Sequence, residues 1–305
     1  MEKENNIAKL YWLHALTPLH VGAGRGVGFI DLPVAREKVT GWPVIPGSAI
    51  KGVLADHHGA TDALREPGTM LAAAFGRVGD NLANSGALIF TDARIVCLPV
   101  RSLYGTFAWV TSPMALRRLA RDLSNVKPAN LPPSLPELDS NSEIKVHKDS
   151  VLGSKTVFFE DLDFTAEPDD VTGDWADFLA KAVFPDKPND PNNSEWQSIF
   201  PNHFAVVTDD VFNFLCETAT EVNARVKIED ETKTVTSSAL WYEENLPAET
   251  LLAGLVSCGW VANKAYTPEA LLTKYCEKEL ALQMGGKATT GKGMVRCVFQ
   301  TGHGG

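Results

Sequence analysis

The chain has 305 residues, 44% of them hydrophobic, and a formal net charge of −10. That is enough for one large or two medium domains with a substantial core, and no run of about 18 apolar residues marks a membrane span. The charged start "MEKENNIAKL" is unlike a signal peptide, and five scattered cysteines without a C-x-x-C pair read as reduced, buried thiols of a cytoplasmic protein and not as a zinc site.

Charge is unevenly spread. Residues 1–125 carry 13 basic and 10 acidic side chains, residues 126–280 carry 12 and 28, and residues 281–305 carry 3 and none. The net charge argues against simple, non-specific nucleic-acid binding. Basic surface drawn from both chain ends could still hold a polyanion, while the acidic middle faces elsewhere or faces a basic partner.

In chain order, "AKLYWLHALTPLHVG" alternates Leu10, Trp12 and His14 against Tyr11, Leu13 and Ala15 and predicts a first strand. The stretch from Gly22 to Gly52 is glycine-rich and proline-punctuated, too long for a turn and too apolar for disorder. It ends in a helix at "PGSAIKGVLADHH", with Ser48 as N-cap and Lys51 in the first turn. A cation there opposes the helix dipole unless an anion sits at that end. "GALIFTDARIVCLPV" reads as a strand pair or one long strand, and "GTFAWVTS" as another strand. Ser112 and Pro113 start a short helix with a Leu116, Leu119, Ala120 and Leu123 stripe, leaving Arg117, Arg118 and Arg121 on a solvated face.

Residues 126–200 are rich in Pro, Asn and Asp and read as loops or insertions around one strand, "KTVFFEDLDFTAE". A strand and a Thr208-capped helix follow in "FAVVTDDVFNFLCETATEV", then a hairpin around "EDET". "AETLLAGLVSCGW" fits a strand or a helix. "TPEALLTKYCEKELALQM" predicts a helix, with Thr267 as N-cap and Pro268 at its first position, and "MVRCVFQ" predicts a strand. Irregular alternation with long excursions suits an α+β fold with insertions better than a doubly wound sheet.

Between the last two elements lies "GGKATTGKG", close to the P-loop pattern G-x-x-x-x-G-K-S/T. Gly293 stands where the Mg²⁺-binding hydroxyl belongs, and the expected order of helix, loop and strand reverses the P-loop context. What remains is a loop of backbone N–H groups with Lys287, Thr289, Thr290 and Lys292, suited to close approach by a phosphodiester. The plain alternative is a helix C-cap followed by a turn.

Four stretches together resemble the RAMP superfamily of CRISPR proteins. "LTPLHVGAGRGVGFIDLPVAREKVTGWPVIPGSAIKGVL" is similar to its N-terminal motif, and "GGKATTGKGMV" to its C-terminal glycine-rich loop. "SLYGTFAWVTSP" and "ALWYEENLP" resemble the backbone subunit of the type III-B (Cmr module) effector. The resemblance implies a modified ferredoxin-like (RRM-like) core with long insertions. Residues 1–125 and 201–305 would form an RNA-binding palm, and 126–200 an insertion-rich region for a thumb or hairpin and for subunit contacts. It implies a guide CRISPR RNA, a complementary target RNA, further copies of the chain and other effector subunits as partners, with no membrane.

It also implies cleavage of guide-paired target RNA at regular intervals, dependent on a divalent metal, Mg²⁺ or Mn²⁺. The family's catalytic aspartate falls on Asp31, which would also contact the metal. Without the resemblance, Asp31 reads as an aspartate closing a turn ahead of Pro33. His20 is the acid–base candidate, because imidazole titrates near neutrality. Glu243, beside Glu244, is a supporting candidate. Ser48, Lys51, Arg36 and Lys38 are candidate RNA contacts. So are Gly285, Gly286, Lys287, Thr289, Thr290, Gly291, Lys292 and Gly293. The alternative reading is a non-catalytic RNA-binding scaffold of the same superfamily.

Overall fold

The computed structural model describes residues 7–24, 26, 30–60, 66, 68–77, 84–126, 128, 131–187, 191–229, 235–277 and 279–300. The first half holds β1 (Ala8–Ala15), β2 (Val44–Ile45), α1 (Gly47–His57), α2 (Met70–Phe75), β3 (Gly76–Arg77), β4 (Asn84–Ser85), β5 (Leu88–Phe90), β6 (Ala93–Arg101), β7 (Phe107–Thr111), α3 (Pro113–Leu123) and β8 (Glu143–Val146). Then come β9 (Thr156–Phe159), β10 (Leu162–Pro168), α4 (Asp170–Val183), α5 (Pro191–Asn202), β11 (Phe204–Val206), α6 (Asp209–Thr218), β12 (Glu221–Ile228), β13 (Val235–Asn245), β14 (Leu251–Cys258), α7 (Pro268–Tyr275), β15 (Leu280–Gln283) and β16 (Met294–Gln300).

One large sheet runs in the order β15-β16-β1-β14-β6-β7-β11-β8-β10-β9, with β2 added on β6 and β5 on β14. Its centre is antiparallel: β16, β1, β14 and the β5/β6 pair each oppose their neighbour. Helix α1 connects β1 towards β5 and β6, and α7 connects β14 towards β16. The chain there runs strand, helix, strand, strand, helix, strand, with the four strands in the spatial order fourth, first, third, second.

The alternation in β1 decides which layer each side chain joins. Leu10 and Trp12 pack with Leu116, Trp175 and Phe204 of α3, α4 and β11. Tyr11 and Leu13 pack with Ile50, Leu54, Leu271 and Leu272 of α1 and α7. Both faces of the strand are therefore dry, and α+β layering follows. The five cysteines are free and buried.

Ser112, Thr208 and Thr267 cap their helices through bonds from Ala115, Val211 and Ala270 N–H groups. Several expectations are corrected. Ser48 is not a cap: Pro46 holds that position, and Gly47 N–H is satisfied from afar by Asp92 Oδ1 at 2.8 Å. Gly47 is needed there because a Cβ would meet Phe90 O at 2.3 Å. "KTVFFEDLDFTAE" is two strands joined at Glu160-Asp161. The ambiguous "LLAGLVSC" is strand β14. Residues 126–200 supply β8, β9, β10, α4 and α5, integral to the sheet and its helix layer. Arg118 is not on a solvated face but pairs with Glu37 at 2.5 Å. The helix at 268 ends at Tyr275, and Leu280–Gln283 forms β15, paired to β16. The glycine loop thus joins two strands. The tip of the "EDET" hairpin lies outside the described residues.

Candidate active site

The site is organised by the end of β13. Two stretches of the N-terminal loop lie along it: Leu19 bridges Leu246 in the antiparallel sense, and Leu32 bridges Glu243 in the parallel sense. Leu32 N–H donates to Tyr242 O at 3.1 Å, and Glu244 N–H donates to Leu32 O at 3.0 Å. This pairing holds Asp31 at the surface. Tyr242 N–H donates to Asp31 Oδ2 at 2.8 Å, and among the described residues Oδ1 has no hydrogen-bond partner.

His20 is buried, with Nδ1 2.7 Å from Glu244 O. A carbonyl only accepts, so Nδ1 carries the proton and Nε2 holds the ring's lone pair. Gly22 borders the ring, since a Cβ there would stand 2.9 Å from Nε2.

Glu243 and Glu244 sit side by side yet serve opposite faces of the strand. Glu243 is 1% exposed in its side chain and accepts from Lys292 Nζ at 2.5 Å, with Lys287 Nζ at 3.7 Å and Arg225 Nε at 4.0 Å. Burial pushes its carboxyl up, but the hydrogen bond and charge of Lys292, aided by Lys287 and Arg225, hold it below the ordinary carboxylate range. Lys292 is itself buried and also donates to Asn245 Oδ1 at 2.8 Å. Glu244 accepts from Val34 N–H at 2.9 Å, from Arg36 Nη2 at 2.5 Å and from Thr220 Oγ1 at 2.9 Å.

The glycine loop is pinned to the His20 segment. Gly286 N–H donates to His20 O at 3.0 Å and Gly293 N–H to Pro18 O at 2.9 Å. Gly285 has φ +76°, and a Cβ there would lie 2.1 Å from His20 O, so only glycine fits. Lys287 lies 5.9 Å from the centroid of Trp241. Thr289, Thr290 and Gly291 are exposed.

The structure brings together Asp31, His20, Glu243 and the glycine loop around β13. It does not leave every candidate cation available. Lys292 is taken by Glu243. Arg36 bonds Gly41 O, Cys216 O and Glu244. Lys51 donates to Leu88 O at 2.9 Å, and burial lowers its amine from the ordinary value. Lys38 and Ser48 are exposed. Sequence reasoning missed the Tyr242 N–H clamp, the Asn245 contact and the four-donor role of Glu244. The strand alternation in "ALWYEENLP" held the signal, since it sets Trp241, Glu243 and Asn245 against Tyr242 and Glu244.

The RAMP superfamily profile matches residues 12–296. The chain belongs to the RAMP superfamily. Its similarity to one member runs end to end: it is 33% identical over 297 residues, 96% of each chain, to the CRISPR system Cmr endoribonuclease Cmr4 of Pyrococcus furiosus. The RAMP fold is also shared with the crystal structure of oligomeric Cmr4 from that organism, at a TM-score of 0.71 and 28% identity, covering 97% of this chain and 98% of that one. A type III-B Cmr-beta complex bound to cognate target RNA contains a chain of the same fold, at a TM-score of 0.69 and 20% identity, with 96% of each covered. Among the described residues of this RAMP chain, no helix is long and apolar enough to cross a membrane.

Proposed function

We propose that this chain is a spine subunit of a type III-B CRISPR effector, which binds guide RNA and cleaves the paired target RNA at Asp31. One observation carries the reading. A surface carboxylate is clamped by Tyr242 N–H, with one oxygen left over, at the end of a loop packed against the glycine turn. The 33% identity to a protein named an endoribonuclease supports it. The β1–α1–β5/β6–β14–α7–β16 unit, drawn from residues 1–125 and 201–305, is read as the ferredoxin-like palm. The exposed Lys38, Thr289 and Thr290, with Lys287, are the groups offered to phosphates. Lys292 and Arg36 act from beneath by holding Glu243 and Glu244. The β12–β13 ribbon, which pairs outside the large sheet, suits the thumb role better than the sheet-bound 126–200 region. Further copies and other effector subunits complete the assembly.

The chemistry asked of Asp31 is modest. Among the described residues, no three His, Cys, Asp or Glu side chains cluster as metal ligands. Glu243 and Glu244 are buried and engaged. Mg²⁺ or Mn²⁺ would therefore be held by Asp31 alone on the protein side, with water and phosphate oxygens beyond it, a pattern hard cations accept. When bound, such an ion supplies positive charge to the scissile phosphate. Asp31 takes the proton of the adjacent 2′-hydroxyl as its oxygen attacks phosphorus. The 5′-oxygen leaves and gains a proton, which His20 can give from Nε2 only as the imidazolium, since Nδ1 already donates to Glu244 O.

The test compares the assembled complex carrying native chain, Asp31→Asn or Asp31→Ala, with guide RNA and Mg²⁺ or Mn²⁺. Regular cuts should fall by about 10²-fold or more while target binding persists. Cuts that persist in both variants would make the subunit a scaffold.

A further inference from the structure

The acidic middle of the sequence gathers, in part, at a groove far along the sheet order from the candidate active site. Asp161 ends the turn ahead of strand β10, which begins there with Leu162 and Asp163, and helix α6 begins with Asp209 and Asp210. The groove between them encloses about 490 Å³. Its apolar lining comes from Leu162, Phe164, Val211 and Phe214, and Phe214 is 49% exposed. Asp161, Asp163 and Asp210 form its rim, and no Lys or Arg lines it. None of the three makes an ion pair among the described residues. Asp210 and Phe214 are four residues apart on α6, so one helix face presents both a carboxylate and an aromatic ring.

We infer that this groove docks a protein segment with an apolar anchor flanked by Lys or Arg. A half-exposed ring lining a concavity offers burial to an apolar side chain. Three unpaired carboxylates offer a rim that selects and steers a cation-bearing partner. RNA is the wrong partner here, because the rim repels phosphates. The nearby cation Lys145 is already taken by Glu143 and Glu167. Charge complementarity therefore has to come from outside the groove. This inference does not rest on the nuclease reading.

The probe is a fluorescent amphipathic peptide of about 16 Lys and Leu residues with leucines at helical spacing, titrated into the full chain. Native protein should bind it, several-fold more weakly between about 0.1 and 0.5 M salt. Phe214→Ser and Asp163→Lys should each weaken binding about tenfold or more. The control Asp174→Lys/Asp177→Lys, two exposed aspartates on α4 beside a different groove, should change it less than about twofold. No binding overturns the inference, and so does equal loss in the control, or an unaltered Phe214→Ser. Self-association of native chain that Phe214→Ser abolishes would assign the groove to a second copy instead. Poly-uridine RNA that displaces the peptide from native chain, and itself binds native chain more tightly than Phe214→Ser, would assign the groove to RNA.

Discussion

Lys292 Nζ lies 2.5 Å from Glu243 Oε1, and both side chains are buried. The lysine that gives the loop its likeness to a P-loop is thus spent on a carboxylate of β13. It fastens the loop to the strand that also clamps Asp31. Removing it should unfasten the loop and leave a buried charge without its main partner. Lys292→Met should cost about 3 kcal/mol, the lower end for a broken buried pair, because Lys287 and Arg225 still face Glu243. Urea unfolding measures this. Adding Glu243→Gln should recover most of the loss. Calorimetry with Mg²⁺-ATP should give no heat of binding for native chain or variant, and tight binding would restore the nucleotide reading.

The same pair sets a pH dependence. The Glu243 carboxyl is held below its ordinary value in the folded state. Its contribution to stability is therefore present above the unfolded carboxylate pKa, about 4.3, and is lost as pH falls through the lower folded value. Unfolding free energy should drop as pH is taken below about 4.5. The Lys292→Met/Glu243→Gln variant should show a shallower drop in the same range. Parallel curves would mean that other carboxylates set the acid limb.

Much of this fold was legible. Ser112-Pro113, Thr208 and Thr267-Pro268 announce helices because capping is local chemistry. Asp31, His20 and the glycine loop stood out through motif and glycine content. What was hidden depends on distant partners. Ser48 reads as a cap, but Asp92 satisfies the first helical N–H across the fold. "LALQ" reads as the end of a helix until β16 supplies a strand to pair with. Arg36 and Lys292 read as phosphate contacts, because nothing local reveals the buried carboxylates that claim them.

Gly285 and Gly291 separate two reasons for glycine. Both have positive φ, +76° and +80°. A Cβ at Gly285 would strike His20 O at 2.1 Å, whereas one at Gly291 meets nothing within 4 Å. Gly291→Ala should cost only the left-handed backbone penalty, about 1–2 kcal/mol. Gly285→Ala should cost more, about 2–4 kcal/mol, since clash adds to strain. It should also shift the His20 ring resonances in NMR spectra, while Gly291→Ala leaves them in place. Equal melting temperatures and equal spectra would show that the loop does not press on His20.

Glu244 is the residue through which the loop geometry is held. Its carboxylate accepts from Val34 N–H, Arg36 and Thr220, its own N–H donates to Leu32 O, and its carbonyl accepts from His20 Nδ1. Leu32 and Val34 flank the chain immediately after Asp31, so losing this side chain loosens the carboxylate without touching it. Glu244→Ala should cost about 3–5 kcal/mol, as a buried pair broken on one side. Glu244→Gln puts an amide donor against N–H groups and should cost about 1–3 kcal/mol. Because Glu244→Gln should fold, it is the informative variant. In the assembled complex its cleavage should fall about tenfold or more through misplacement of Asp31, with target affinity held within about twofold. Amide exchange at Val34 should accelerate, a change that a purely catalytic defect would not produce. Normal protection at Val34 with lost cleavage would place Glu244 in the chemistry. Normal cleavage would show that Tyr242 N–H alone is enough to hold Asp31.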